Sequence, residues 1–428
     1  MDIVEKNLKP MLSYGVVALM AALPVALLTS HSAPSAVFYG LILMCLILMV
    51  RNGFSGFREQ TLRYRWLLVS YAVLFLSVVW SSIVYGKWAG ANSEGAIRLF
   101  FGLWVLLLAL PLIRTSSLKH GFWGVYAAGI ISSFILVWLI LKVNPRPLTP
   151  GIILTTYSSV MLLLGAISIY SLKWRLTKKY PVEQGLKIAV AIVTFSTFVL
   201  AQTRTGLLGL PLFILLGLIL FVGLEKPKRF LGLLALCCVL LVGAVGSSEA
   251  LRHRLVQGVE ELKTCQDDSK TAFTSMCVRV QLWRSAIDAG STHPWVGLGD
   301  GGRFHSYMQD VAVPKGLVSE QVVNAGFGEP HSDGLMFFAA FGVPGLLGIL
   351  LIYFAPCFYF VPRLLQRDLS MQSRAAAAMG LATCLGFALF GLTELMFRRM
   401  NTMGFYVVLV ALFMVLSDER QSETPDRT

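Results

Sequence analysis

HSDGLMFFAAFGVPGLLGILLIYF, residues 331–354, opens on three polar side chains, His331, Ser332 and Asp333, and then carries no charged residue at all. The apolar run continues to about residue 361, past the roughly 20 residues a helix needs to cross the hydrocarbon core of a bilayer. Working outward, similar runs recur from end to end. Spans are read near 11–29, 35–50, 66–84, 99–113, 121–142, 151–172, 188–203, 205–224, 230–247, 333–361, 375–397 and 402–417. With 56% hydrophobic and 14% charged residues over 428 positions, the composition is far from that of a soluble domain. The expected fold is an all-α polytopic membrane protein of about twelve transmembrane helices. Its units are residues 1–247 (spans one to nine), a long extramembrane loop at 248–330, residues 331–417 (spans ten to twelve) and a short tail at 418–428.

The formal net charge of +13 could suggest a nucleic-acid partner, but its distribution excludes one. Basic residues fall mainly in alternate short links: Arg51, Arg58, Arg63 and Arg65; Arg114 and Lys119; Lys173, Arg175, Lys178, Lys179 and Lys187; Lys226, Lys228 and Arg229; Arg363, Arg367 and Arg374. The intervening links are poorer, and the one at 30–34 has no Lys or Arg. The positive-inside rule then places both termini in the cytoplasm and the 248–330 loop outside, in the periplasm of a cell with two membranes. No cleavable leader is expected from the polar residues 1–10.

Two stretches of the loop read as helices. Leu251 to Lys263 is amphipathic, with Leu255, Val259 and Leu262 at helical spacing. Cys277 to Ala289 puts Arg279 and Trp283 four apart on one face. Five of the seven cysteines lie in apolar spans, whereas Cys265 and Cys277 flank a polar stretch in the outer, oxidising compartment, so a disulfide between them is expected. Gly297-Leu-Gly-Asp-Gly-Gly302 matches a dinucleotide-binding pattern, but no strand-turn-helix unit surrounds it. A tight turn returning the chain to the membrane is the better reading.

His331 follows Pro330 at the membrane boundary, where an imidazole can act as a general base near neutral pH. Arg204 interrupts two apolar runs in Ala-Gln-Thr-Arg-Thr-Gly206, and an ionisable group there is costly unless partnered. Arg98, Arg279 and Arg284 also lie in or beside outward segments. Singly each reads as a snorkelling anchor, while several converging would form an anion site. Glu394 is expected to pair locally with Arg398 or Arg399. Asp333 either tunes His331 or caps the span, the cap being preferred. No His/Cys spacing argues for a metal or another cofactor.

In chain order, the Thr-Arg-Thr-Gly turn, Arg279-Val-Gln-Leu-Trp283, His293-Pro-Trp-Val-Gly-Leu-Gly299 and His331-Ser-Asp-Gly-Leu335 resemble the O-antigen ligase family, within a superfamily that includes O-antigen polymerases and protein O-oligosaccharyltransferases. The resemblance implies a GT-C-like membrane fold in the bacterial inner membrane. It implies metal-independent, inverting transfer of a glycan from undecaprenyl diphosphate to a hydroxyl of the lipid A core, on the periplasmic face, in lipopolysaccharide biosynthesis. By motif, His331 corresponds to the catalytic histidine and Arg204 and Arg279 to the arginines at the donor diphosphate, with Arg98 joining them on a less distinctive match. Trp283 and Asp333 are supporting candidates. From another class, a secondary transporter explains the topology, but it would gather ionisable residues near the midplane rather than at one edge.

Overall fold

The computed structural model of the chain describes residues 2–88, 90–247, 273–397 and 400–418, and between these residues 249, 252, 256, 257, 260, 261, 263 and 265. Among the described residues the regular structure is entirely helical. Among the described residues, ten helices are long and apolar enough to cross a membrane, from Pro10–Thr29 to Met371–Phe390. Pro227–Ser247 and the shorter Met400–Leu416 stand where the two remaining spans are expected. The chain is an all-α polytopic membrane protein, as the lengths of its apolar runs predict. Helices satisfy their own backbone, which a hydrocarbon core demands.

Helices divide into an axis and a rim. Of the apolar windows of Leu154–Lys173 and Met371–Phe390, 78% is buried, against 33% for Ala33–Arg51 and Tyr180–Leu200. Met371–Phe390 reaches the centre because small residues, among them Ala375 to Ala378, Gly380 and Ala382, let neighbours come close. A Cβ at Gly380 would lie only 2.3 Å from the Phe360 ring. The basic links gather at one end of this bundle: Lys119 Nζ donates to the Arg175 carbonyl (2.8 Å), and Arg363 Nη1 to Ser417 Oγ (2.7 Å). Arg63 pairs with Asp418 and Arg367 with Glu225 at the same end.

The opening stretch forms the helix Asp333–Phe354, broken at Gly342 (φ 68°, ψ −156°) just before Pro344. A break inside a membrane helix bares backbone groups that must find other partners. The glycine turn of the long loop supplies them. Leu298 N–H donates to the Ala339 carbonyl and Gly299 N–H to that of Ala340, both at 2.9 Å, and Val343 N–H returns to the Pro294 carbonyl at 2.7 Å. Gly297 has φ 56°, and a Cβ there would meet the Ala340 carbonyl carbon at 2.3 Å. The glycines therefore serve a backbone-to-backbone dock. Tyr85 OH adds a bond to the Gly297 carbonyl (2.6 Å).

Above the dock, Ser275–Thr292 forms a helix longer than expected at both ends, with Thr274 capping it by accepting from Cys277 N–H. Its face of Val278, Leu282, Ala286 and Ala289 joins Phe304, Met308 and Val322 in a small core separate from that of the bundle. In the earlier loop helix, Val256, Gln257, Glu260, Glu261 and Lys263 are helical, while Leu255, Val259 and Leu262 lie outside the described residues. Several boundaries differ from expectation, the span expected at 188–203 beginning at Tyr180. The span expected at 99–113 begins at Ala91, because Glu94 neutralises Arg98 one turn on. The span expected to reach 397 ends at Phe390, leaving Glu394 in the turn that follows.

Candidate functional site

His331 is held in the left-handed region at φ 49°, one of three described non-glycine residues with positive φ. Its Nδ1 lies 3.1 Å from Glu394 Oε1. The Glu394 side chain is 4% exposed and that of His331 23%. The other Glu394 oxygen accepts from Thr155 Oγ1 at 2.8 Å. Burial pushes the Glu394 carboxyl up. The hydrogen bond and charge of His331, with the Thr155 hydroxyl and Leu395 N–H, outweigh it and hold the group below the usual carboxylate range. An ionised acceptor on Nδ1 favours the tautomer protonated there, which leaves Nε2 as the basic nitrogen. The expected local pairing of Glu394 with Arg398 or Arg399 lies outside the described residues; its described side-chain partners are 63 and 239 residues away in sequence.

Asp333 does not cap its own helix. Ser332 occupies the cap position, without a side-chain bond. The buried Asp333 carboxylate instead accepts from Tyr353 OH (2.6 Å) and from the backbone N–H groups of Met396 and Phe397 (both 3.1 Å). These amides belong to the irregular segment that carries Glu394, and each of the two carboxyl oxygens accepts one of them.

A cavity of about 870 Å³ opens at this end of the bundle, lined by His31, residues 146–155, Thr203 to Thr205, Gln257, Glu261, Phe273 to Ser275 and Arg279. Arg204 reaches its wall from a break between two helices, where Gln202 has φ 50° and Thr203 Oγ1 is 2.7 Å from Ser158 Oγ. Arg204 faces Gln257 Oε1 (3.5 Å) and Glu261 Oε2 (3.9 Å). Arg279 comes from the loop helix, with Nη1 bonded to Ser275 Oγ (3.0 Å) and Nε buried without a partner among the described residues. Burial draws the Arg279 guanidinium below its usual value; Glu394 opposes this, Arg204 adds to it, and Glu261 opposes it. The two arginines and two carboxylates thus share one electrostatic field. Trp283, one turn after Arg279, likewise has a buried Nε1 without a partner among the described residues. Cys265 and Cys277 form a disulfide (Cα–Cα 5.2 Å) that ties the Glu261 segment to the start of the Arg279 helix.

Arg98 is not brought to this cavity. Its side chain is 2% exposed and its donors are committed to Glu94 (2.6 Å), Ser35 (3.1 Å), Tyr39 (3.3 Å) and the Met400 carbonyl (3.1 Å). A buried guanidinium held by four bonds to its own protein is a clamp between helices, and the expected place beside Arg204 and Arg279 does not match this geometry. Arg284 is exposed. His305 bonds to the Phe327 carbonyl (3.1 Å), and His253 lies outside the described residues. His331 is not itself a cavity wall, but Thr155 is, and Glu394 joins the two. The sequence reading missed Thr155, Gln257, Glu261, Arg146 and His31 as wall residues, none of which carries a local signal.

Comparison with known proteins bears on the same elements. Residues 188–350 match the family model described as O-antigen ligase, a segment that contains Arg204, Arg279 and His331. An uncharacterized protein of Haemophilus influenzae is 21% identical over 284 residues, covering 66% of this chain and 68% of that protein.

Proposed function

With residues 188–350 matching the O-antigen ligase family, we propose that the chain transfers a glycan from undecaprenyl diphosphate to a hydroxyl of the lipid A core oligosaccharide, on the periplasmic face of the bacterial inner membrane. The observation that carries this reading is one cavity wall holding Arg204 and Arg279, with the Glu394–His331 pair attached through Thr155. Two guanidinium groups from different elements suit a diphosphate, which offers several planar acceptor pairs.

In the proposed reaction the acceptor oxygen attacks the anomeric carbon as its bond to the diphosphate oxygen breaks. The hydroxyl proton passes to His331 Nε2. Negative charge grows on the departing diphosphate, where Arg204 and Arg279 stabilise it in the role a metal ion otherwise fills. Attack opposite the leaving group inverts the anomeric centre in one displacement. Glu394 holds the imidazole and stabilises the cation that forms. General-base assistance of this kind contributes about 10²–10⁴-fold.

Deletion of the gene tests the reading. Long-chain lipopolysaccharide should disappear while polymerised lipid-linked glycan accumulates; accumulation of single repeat units would instead indicate a polymerase. Restoring the chain with His331→Ala should not restore long chains, although the protein inserts normally. Normal lipopolysaccharide from that variant would sink the base assignment.

A further inference from the structure

We infer that Asp333 is the positioning residue of this site: it clasps the 391–397 segment at both ends and so fixes Glu394 against His331. The inference rests on the general-base reading of His331. One residue makes both contacts. The Asp333 N–H donates to the Gly391 carbonyl at 2.8 Å, and its carboxylate takes the Met396 and Phe397 amides at 3.1 Å. Glu394 lies between the two clasps. Gly391 permits this approach, because a Cβ there would stand 2.6 Å from Asp333 Oδ2. Tyr353 completes the device. Its hydroxyl binds the same carboxylate at 2.6 Å, and its ring stacks on Phe397 with centroids 5.3 Å apart. Asp333 is two residues from His331, so the chain closes a short ring: His331 to Asp333, across to 391–397, and from Glu394 back to the imidazole. A displacement of Glu394 within this ring moves the base itself. Asparagine at 333 keeps one acceptor but turns an NH₂ toward the second amide, which opens the clasp at one end.

The test is the initial rate of glycan transfer in bacterial membranes containing the full chain, with the lipid-linked donor varied. Variants are Asp333→Asn, Tyr353→Phe, Glu394→Gln and the doubles with Glu394→Gln. Asp333→Asn should lower turnover about tenfold and Tyr353→Phe about threefold, with donor KM unchanged, since a misplaced catalytic group costs rate rather than donor binding. In the Glu394→Gln background each should cost less than about twofold more, because its effect runs through Glu394. Losses of the same size in that background, or full turnover in Asp333→Asn, would overturn the inference. If Asp333→Asn does not accumulate in membranes, the Tyr353→Phe pair of measurements decides by the same criterion. Transfer surviving His331→Ala is a separate outcome and removes the base reading instead.

Discussion

Glu394 has both carboxylate oxygens committed, one to His331 Nδ1 at 3.1 Å and one to the Thr155 hydroxyl at 2.8 Å. Glutamine keeps the shape but removes the charge that steadies an imidazolium, so Glu394→Gln should lower turnover by about 10²-fold, measured as transfer rate at saturating donor. The carboxyl is held below its ordinary value, so the stability it contributes is present above the usual carboxylate pKa and lost as pH falls through the lowered one. The difference in melting temperature between parent and Glu394→Gln should therefore be present above the usual carboxylate range and shrink as pH falls below it. A difference confined to alkaline pH contradicts the pairing. Arg204→Ala and Arg279→Ala should raise donor KM by about tenfold or more with acceptor KM little changed; unchanged donor KM in both sinks the clamp. His331, Arg204 and Arg279 were legible because a polar group beside an apolar run stands out. Glu394 stood out too, but its partner did not: the nearest cations in sequence were Arg398 and Arg399, and a contact across 63 residues leaves no local trace.

Elements were legible where apolar length alone defines them, and less so where one charge neutralises another. Glu94 pairs with Arg98 at i,i+4, so the helix starts eight residues before the uncharged run that marked it. The break at Gly342 was equally silent, because its carbonyls are satisfied by a turn some forty residues upstream. That turn is a test of how the loop is held. Gly297→Ala would force a side chain into φ 56° and within 2.3 Å of the Ala340 carbonyl carbon. The backbone conformation alone costs about 1–3 kcal/mol, and the clash adds to it. Limited proteolysis should cut the variant within 293–330 faster than the parent. An unaltered digestion pattern means that the dock is not what fastens the loop to the bundle.

At the scale of the molecule, two independent asymmetries point the same way. The basic links meet at one end of the bundle, through Lys119 with Arg175 and Arg63 with Asp418. The disulfide and the arginine-lined cavity lie at the other end. Positive links mark the cytoplasmic side, and a disulfide persists in an oxidising compartment. Both support the proposal that the cavity faces the periplasm, where the glycan donor of the proposed reaction would present its diphosphate. Cysteine substitution makes the assignment measurable. Leu148 on the cavity rim is 96% exposed, and Lys226 lies in a link at the basic end. With Cys45, Cys237, Cys238, Cys357 and Cys384 replaced by alanine and the disulfide kept, Leu148→Cys should react with a membrane-impermeant maleimide once the outer membrane is permeabilised. Lys226→Cys should react only after the inner membrane is broken. The reverse pattern would put the cavity in the cytoplasm and the disulfide in a reducing compartment, and both charge and redox arguments would fall together.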